Sequence, residues 1–198
     1  MDGAYGGAAL LSPRARRLLE GIERADSFIV DPHKMLYSTF DCAAVVYRDA
    51  ASARRALTQT ADYLQAIGDV DAGNPSDLAI HLTRRARGVP LWASALAYGT
   101  DAYAAAVDHC LDITSYAAGR VLASPVLELA LEPAFTVILA RRLGWSSEDY
   151  AAWCADAMAR GVAMVMPTRH AGEPVLRFCF VNPLTTREDV DLVLADLA

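Results

Sequence analysis

The 198-residue chain lacks the patterns that mark metal and disulfide sites. Its four cysteines, Cys42, Cys110, Cys154 and Cys179, form no CxxC pair and no metal-like spacing with its four histidines. A zinc ribbon is excluded and no metal is expected. Three of the cysteines lie in strongly apolar surroundings, where Cys behaves as a small core residue. A reducing, cytoplasmic compartment is therefore expected. Positive charge is in deficit: 18 Lys and Arg face 24 Asp and Glu, for a net charge of -6. No basic field is available to nucleic acid or to an anionic membrane, so neither is expected as a partner. No apolar run approaches the ~20 residues of a membrane span. The segment Met1–Gly7 has neither the basic start nor the apolar stretch of a signal peptide. Internal repeats and low-complexity tracts are absent, and no glycine-rich phosphate loop occurs outside Gly3–Gly7.

What is present is a core-forming composition, 54% hydrophobic and 21% charged. The length fits one domain or two small ones. Ser12-Pro13 reads as N-cap and first residue of a helix carrying Leu18, Leu19 and Ile22 on one side. Ser27–Val30 and Cys42–Tyr47 are short continuous apolar runs, as expected for strands buried on both faces of an α/β sheet. Residues 50–78 show little periodicity and read as a loop, mobile over 58–78. A helix is expected from Ala79 or Thr83, bending at Gly88-Val89-Pro90 and ending at Tyr98. Gly99-Thr100-Asp101 then caps a helix over 102–122. Strands follow at 126–131 and 135–140, and a helix capped by Ser146 runs to about Arg160. Strands at 163–167 and 175–181 precede a last helix, where Thr185 and Glu188 stand at capping-box spacing. Trp92, Trp145 and Trp153 are read as core or interface anchors, and His81, His109 and His170 as ordinary surface or capping residues.

The segment "ADSFIVDPHKMLYSTFDC" places Lys34 just beyond an apolar strand, after Asp31-Pro32-His33. Two readings compete. A lysine there can lay its stem on the core and send its ammonium to water. Alternatively, its neutral amine can attack an aldehyde to form an imine.

The segment resembles the cofactor-lysine motif of the group II pyridoxal-phosphate-dependent amino-acid decarboxylases, usually Asn/Asp-Pro-His-Lys-Trp. Here Met35 replaces the Trp. "DGAYGGAALLSP" is similar to the family's Asp-Ala-Ala-Tyr-Gly-Gly segment, with Asp2 at 34 − 2 = 32 positions before Lys34. "NPSDLAIHLTRRARGVPLW" and "GEPVLRFCFVNPLTTREDVDLVL" resemble later family segments, so the likeness covers residues 2–198. It implies pyridoxal 5'-phosphate as cofactor, Lys34 as the Schiff-base lysine and His33 near the cofactor phosphate. It also implies Asp2 as partner of the ring nitrogen and Ala4 as the small residue that lets the ring approach. Arg177, in "VLRF", takes a family arginine position. It can bind a substrate carboxylate or form a structural ion pair. The implied fold is α/β: the C-terminal part of a fold type I large domain over 1–98, then a small α+β domain over 99–198. The implied activity is decarboxylation of an amino acid, aromatic ones included, by a homodimer. The alternatives are another fold type I enzyme, an aminotransferase or a decarboxylating deaminase, and a non-catalytic fragment that associates with a partner.

Three departures from the family pattern stand out. Asp31 replaces the Asn of the aromatic-amino-acid enzymes. A carboxylate beside a phosphate is repulsive, so Asp31 is expected to face away or to pair with a cation. The loop tyrosine that returns a proton to the substrate carbon has no counterpart near Pro75 or Leu78, and the nearest tyrosine is Tyr63. Finally, family members carry a long segment before the position of Asp2, so the sequence is expected to be a C-terminal fragment. A valine codon read as the initiator would explain Met1. Reading the DNA in frame upstream of Met1 tests this: an open frame is expected, and an immediate stop codon contradicts it.

Overall fold

The computed structural model describes residues 1–59 and 74–198, and the chain is a mixed α/β protein that divides into two compact units. The first comprises Met1–Ala8 and Leu19–Gly99, the second Ala9–Leu18 and Thr100–Ala198. Most of the loop expected over 58–78, with Tyr63, lies outside the described residues.

In the first unit, β1 (Ser27–Val30) and β2 (Ala44–Tyr47) pair antiparallel, Ser27 opposite Tyr47 and Val30 opposite Ala44. This corrects the expectation of strands buried on both faces of an α/β sheet. No crossover helix lies between them, so the chain returns antiparallel. Both strands are only half-buried, with Ile29, Val45 and Val46 exposed. On the other side of β1 runs the segment Met1–Ala4, parallel to it, with Asp2 bridged to Ile29.

Residues 50–78 are not all loop. Helix α1 (Ala50–Leu57) begins at an Asp49 cap whose carboxylate accepts from Ala51 N and Ser52 Oγ. Its four alanines favour helix without supplying the apolar periodicity that would reveal it. A 3-10 turn at Pro75–Leu78 follows, tied to α1 by Arg54–Asp77 at 3.3 Å. Helix α2 (Gly88–Leu122) starts at Gly88, not at 79–83. Pro90 has no N–H to donate and fits only a first turn, so Gly88-Val89-Pro90 is a helix start and not a bend. Gly99 (φ 74°) interrupts α2 where the sequence places a stop. Trp92, read as an anchor, is exposed.

The second unit holds a four-stranded antiparallel sheet, ordered β3 (Leu127–Leu129), β4 (Val137–Arg142), β6 (Glu173–Cys179), β5 (Met166–His170). Helices α3 (Ser147–Ala159) and α4 (Arg187–Leu197) complete the unit. Ile138 and Ala140 alternate into the core from β4, meeting Leu176, Val121, Tyr150 and Leu194. The β5–β6 strands sit three residues later and two residues earlier than expected, because Ala171 (φ 51°) and Gly172 (φ 86°) form a two-residue hairpin turn. Positive φ at both central positions matches the right-handed twist of the strands. Ser146 and Asp149 form the capping box of α3. The box of α4 uses Thr186 and Asp189, one residue beyond the expected pair.

The helix expected after Ser12-Pro13 is instead two 3-10 turns, Arg16–Leu19 and Ile22–Arg24, and a third, Gly6–Leu11, precedes Ser12. Ser12 Oγ accepts from Arg14 N and Ala15 N, a local turn that competes with helix. Ser12 is fully buried and donates to Asp108, while Arg14 pairs with Asp112 at 2.7 Å. All four cysteines are free, and burial pushes the Cys154 and Cys179 thiols up. Among the described residues, no helix is long and apolar enough to cross a membrane.

Leu176→Ala removes a fully buried side chain from the sheet and is expected to cost about 2–5 kcal/mol, read as a lower urea midpoint. A loss under about 1 kcal/mol would show that this core collapses around the cavity.

Candidate functional site

The turn after β1 is closed by its own backbone. Lys34 N donates to Asp31 O at 2.9 Å, Tyr37 N to Lys34 O at 3.2 Å and Ser38 N to Pro32 O at 3.0 Å. Pro32 and Met35 are buried, so Met35 fills core space where the family motif carries Trp. Burying these two residues leaves Lys34 at the surface of the turn.

The segment Met1–Ala4 is held against β1 by Ile29 N to Met1 O (3.1 Å), Gly3 N to Ile29 O (2.9 Å) and Asp31 N to Ala4 O (3.1 Å). Asp2 is exposed, and its Oδ1 accepts from Ala4 N at 2.9 Å. Two parallel segments thus end side by side, one bearing Asp2 and Ala4, the other leading into Asp31, His33 and Lys34. The carboxyl ends of parallel strands are where α/β sheets bind ligands. Gly3 is required here: a Cβ would lie 2.2 Å from the Phe28 ring.

Lys34 Nζ lies 2.9 Å from Asp31 Oδ2. Of the two expectations for Asp31, pairing with a cation is the one found, and the cation is Lys34 itself. His33 Nε2 is 3.9 Å from the same oxygen. The His33 Nδ1 is 2.5 Å from Cys42 O. A carbonyl only accepts, so Nδ1 carries the hydrogen and Nε2 is the atom left for a ligand. The His33 ring meets Phe40 edge-on, at 5.2 Å between centroids, and Phe40 itself is exposed.

The structure brings Asp2, Ala4, His33 and Lys34 into one unit. Arg177 lies on β6 in the other, exposed, and among the described residues no carboxylate forms an ion pair with it. The described residues contain no cluster of His, Cys, Asp and Glu suited to a metal.

Two features escape motif reading. Lys34 is the only lysine in the chain, since seventeen of the 18 Lys and Arg are arginines. A residue count finds this. The second is the Asp41–Arg87 pair, bidentate at 3.0 Å on both arms, with Cys42 Sγ donating to Arg87 O at 3.3 Å. Asp41 closely follows the lysine turn, so this fork ties that stretch to the start of α2. The hydrogen bonds from Arg87 hold the Asp41 carboxyl down to about 2.

The pattern described as "Pyridoxal-dependent decarboxylase conserved domain" matches residues 1–141. The chain belongs to that family. An L-2,4-diaminobutyrate decarboxylase of Acinetobacter baumannii is 30% identical over 100% of this chain and 40% of that protein. An aromatic-L-amino-acid decarboxylase of Bacillus atrophaeus is 26% identical over 96% of this chain and 41% of its own length. The Oryza sativa TDC solved with PLP and tryptamine superposes with a TM-score of 0.88 at 25% identity, over 99% of this chain and 42% of that one. The glutamate decarboxylase domain of a Vibrio parahaemolyticus protein gives 0.79 at 28%, over 98% and 38%. The chain thus spans about two fifths of the length of these four relatives.

The Asp41 carboxyl is depressed in the fold, so its contribution to stability is complete above the unfolded value of about 3.9 and is lost as pH falls through about 2. Asp41→Asn is expected to flatten acid unfolding between about pH 4 and 2, followed by circular dichroism. An unchanged acid limb contradicts the pair's contribution.

Proposed function

We propose that this chain carries the cofactor-holding turn of a pyridoxal-phosphate-dependent amino-acid decarboxylase. The observation that carries the proposal is the hydrogen-bonded alignment of Met1–Ala4 with β1, which sets Asp2 and Lys34 at adjoining chain ends. The chemistry of this donor set fits the cofactor: an amine for its aldehyde, a carboxylate for its ring nitrogen and a small side chain at Ala4.

Lys34 would hold the cofactor through its aldehyde carbon. Asp2, with Oδ1 committed to Ala4 N, would accept the ring N–H and keep that nitrogen protonated. Ala4 would leave room for the ring, and His33 Nε2 would serve the phosphate. Arg177 would bind the substrate carboxylate. When bound, pyridoxal phosphate supplies the conjugated ring that accepts the electron pair left as CO2 departs. The Lys34 amine also holds or delivers a proton at the reacting carbon's side of the site.

The same reading carries fold type I, with residues 1–98 in the large domain and 99–198 as the small one. It also carries a homodimer in the cytoplasm. Exposed Val89, Trp92 and Leu96, at i, i+3 and i+7 on α2, support the association. The free cysteines support the compartment.

The test is capture of pyridoxal phosphate followed by borohydride reduction and peptide mapping. One pyridoxyl group on Lys34 is expected, lost in Lys34→Ala, with capture about ten- to a hundredfold weaker in Asp2→Ala. Label on the Met1 α-amino group alone contradicts the proposal. Carbon dioxide and an amine as products, against a keto acid or aldehyde, then assign the reaction.

A further inference from the structure

We infer that Asp31 is a latch on Lys34: its carboxylate holds the lysine's charged nitrogen in the turn, and the cofactor must displace it to be captured. This rests on the assignment of Lys34 as the cofactor lysine and adds a control step to that site.

The geometry is built into the turn. Asp31 and Lys34 stand at i and i+3, and the Lys34 N to Asp31 O bond folds the backbone so that both side chains leave on one side. Asp31 is fixed at both its backbone groups, since its own N donates to Ala4 O. Its side chain is 16% exposed against 41% for that of Lys34. The carboxylate is thus the rigid partner and the lysine the movable one. His33 Nε2, at 3.9 Å, is too far to satisfy the same oxygen by a hydrogen bond. Among the described residues, His33 is the further titratable group beside this pair. Asp2 is committed to Ala4 N on the neighbouring segment.

The chemistry sets the cost. An ammonium has no lone pair. To attack the aldehyde carbon, Lys34 must leave Asp31 and give a proton to water; the C–N bond then forms and the carbonyl oxygen departs as water. The attraction of the pair adds to that barrier. Because Asp31 also repels an incoming phosphate, it delays capture by any aldehyde that cannot replace its contacts.

Competitive acetylation measures the latch without the cofactor. The folded chain has two kinds of amine, Lys34 and the Met1 α-amino group, so Met1 serves as internal reference. Limiting acetic anhydride is applied to the folded protein, and peptides are quantified by mass spectrometry. In Asp31→Asn, Lys34 is expected to react about two- to fivefold faster relative to Met1, the range of a partly exposed ion pair. Asp31→Glu is expected to restore the slow rate. Unfolding midpoints of the variants confirm that the turn is intact, and the Asn side chain keeps the size and both backbone bonds. Unchanged or slower acetylation in Asp31→Asn, with a native midpoint, overturns the latch. The same proteins are then given pyridoxal phosphate. Faster acetylation without capture in any protein keeps the latch and removes the cofactor assignment, whereas capture with equal acetylation does the reverse.

Discussion

Everything at the candidate site depends on one short ladder. Main-chain hydrogen bonds tie Met1–Ala4 to Ile29 and Asp31, and without them Asp2 and Lys34 are merely 32 residues apart in sequence. The ladder needs a residue without a side chain at position 3, because the Phe28 ring lies where a Cβ would be. Phe28 is in turn held by β1–β2 pairing opposite Val46. A packing constraint in the sheet therefore fixes the spacing of two chemical groups. Burial of Pro32 and Met35 then decides which residue of the turn faces outward.

The division of labour between arginine and lysine follows from their chemistry. Arginines make the structural ion pairs: Arg87 with Asp41, Arg14 with Asp112, Arg160 with Asp156 and Asp196. A guanidinium stays charged and offers a planar fork, so it suits permanent pairing. It cannot form an imine with an aldehyde. The single lysine stands in the turn after β1, and its partner Asp31 binds it through one oxygen rather than a fork. A monodentate, partly exposed pair is one that a competing ligand can break.

Much of this was legible in the residues. Strand β1, the stop at Gly99 and the Ser146 cap all follow from local chemistry that tertiary packing does not override. The direction of β2 was not legible, because an apolar run shows that a strand is buried or half-buried but not beside which neighbour it lies. Helix α1 was missed because alanines give helix propensity without a face. The hairpin at Ala171-Gly172 was missed because Ala at positive φ is uncommon and leaves no turn signature. The candidate residues Asp2, Ala4, His33 and Lys34 were named through motif resemblance, and the structure brings them into one unit. The Asp31–Lys34 pair was half-legible: the sequence left Asp31 either facing away or paired with a cation it did not name. Asp41–Arg87 was hidden, since 46 positions separate its members.

The most direct test of the account is a crystal structure of the protein grown with pyridoxal phosphate. Continuous density from Lys34 Nζ to the cofactor is expected, with an Asp2 carboxylate oxygen about 2.8 Å from the ring nitrogen and Asp31 released from the lysine. A cofactor seated away from Lys34, or bound there with its ring nitrogen turned from Asp2, would contradict the claim that one ladder assembles this site.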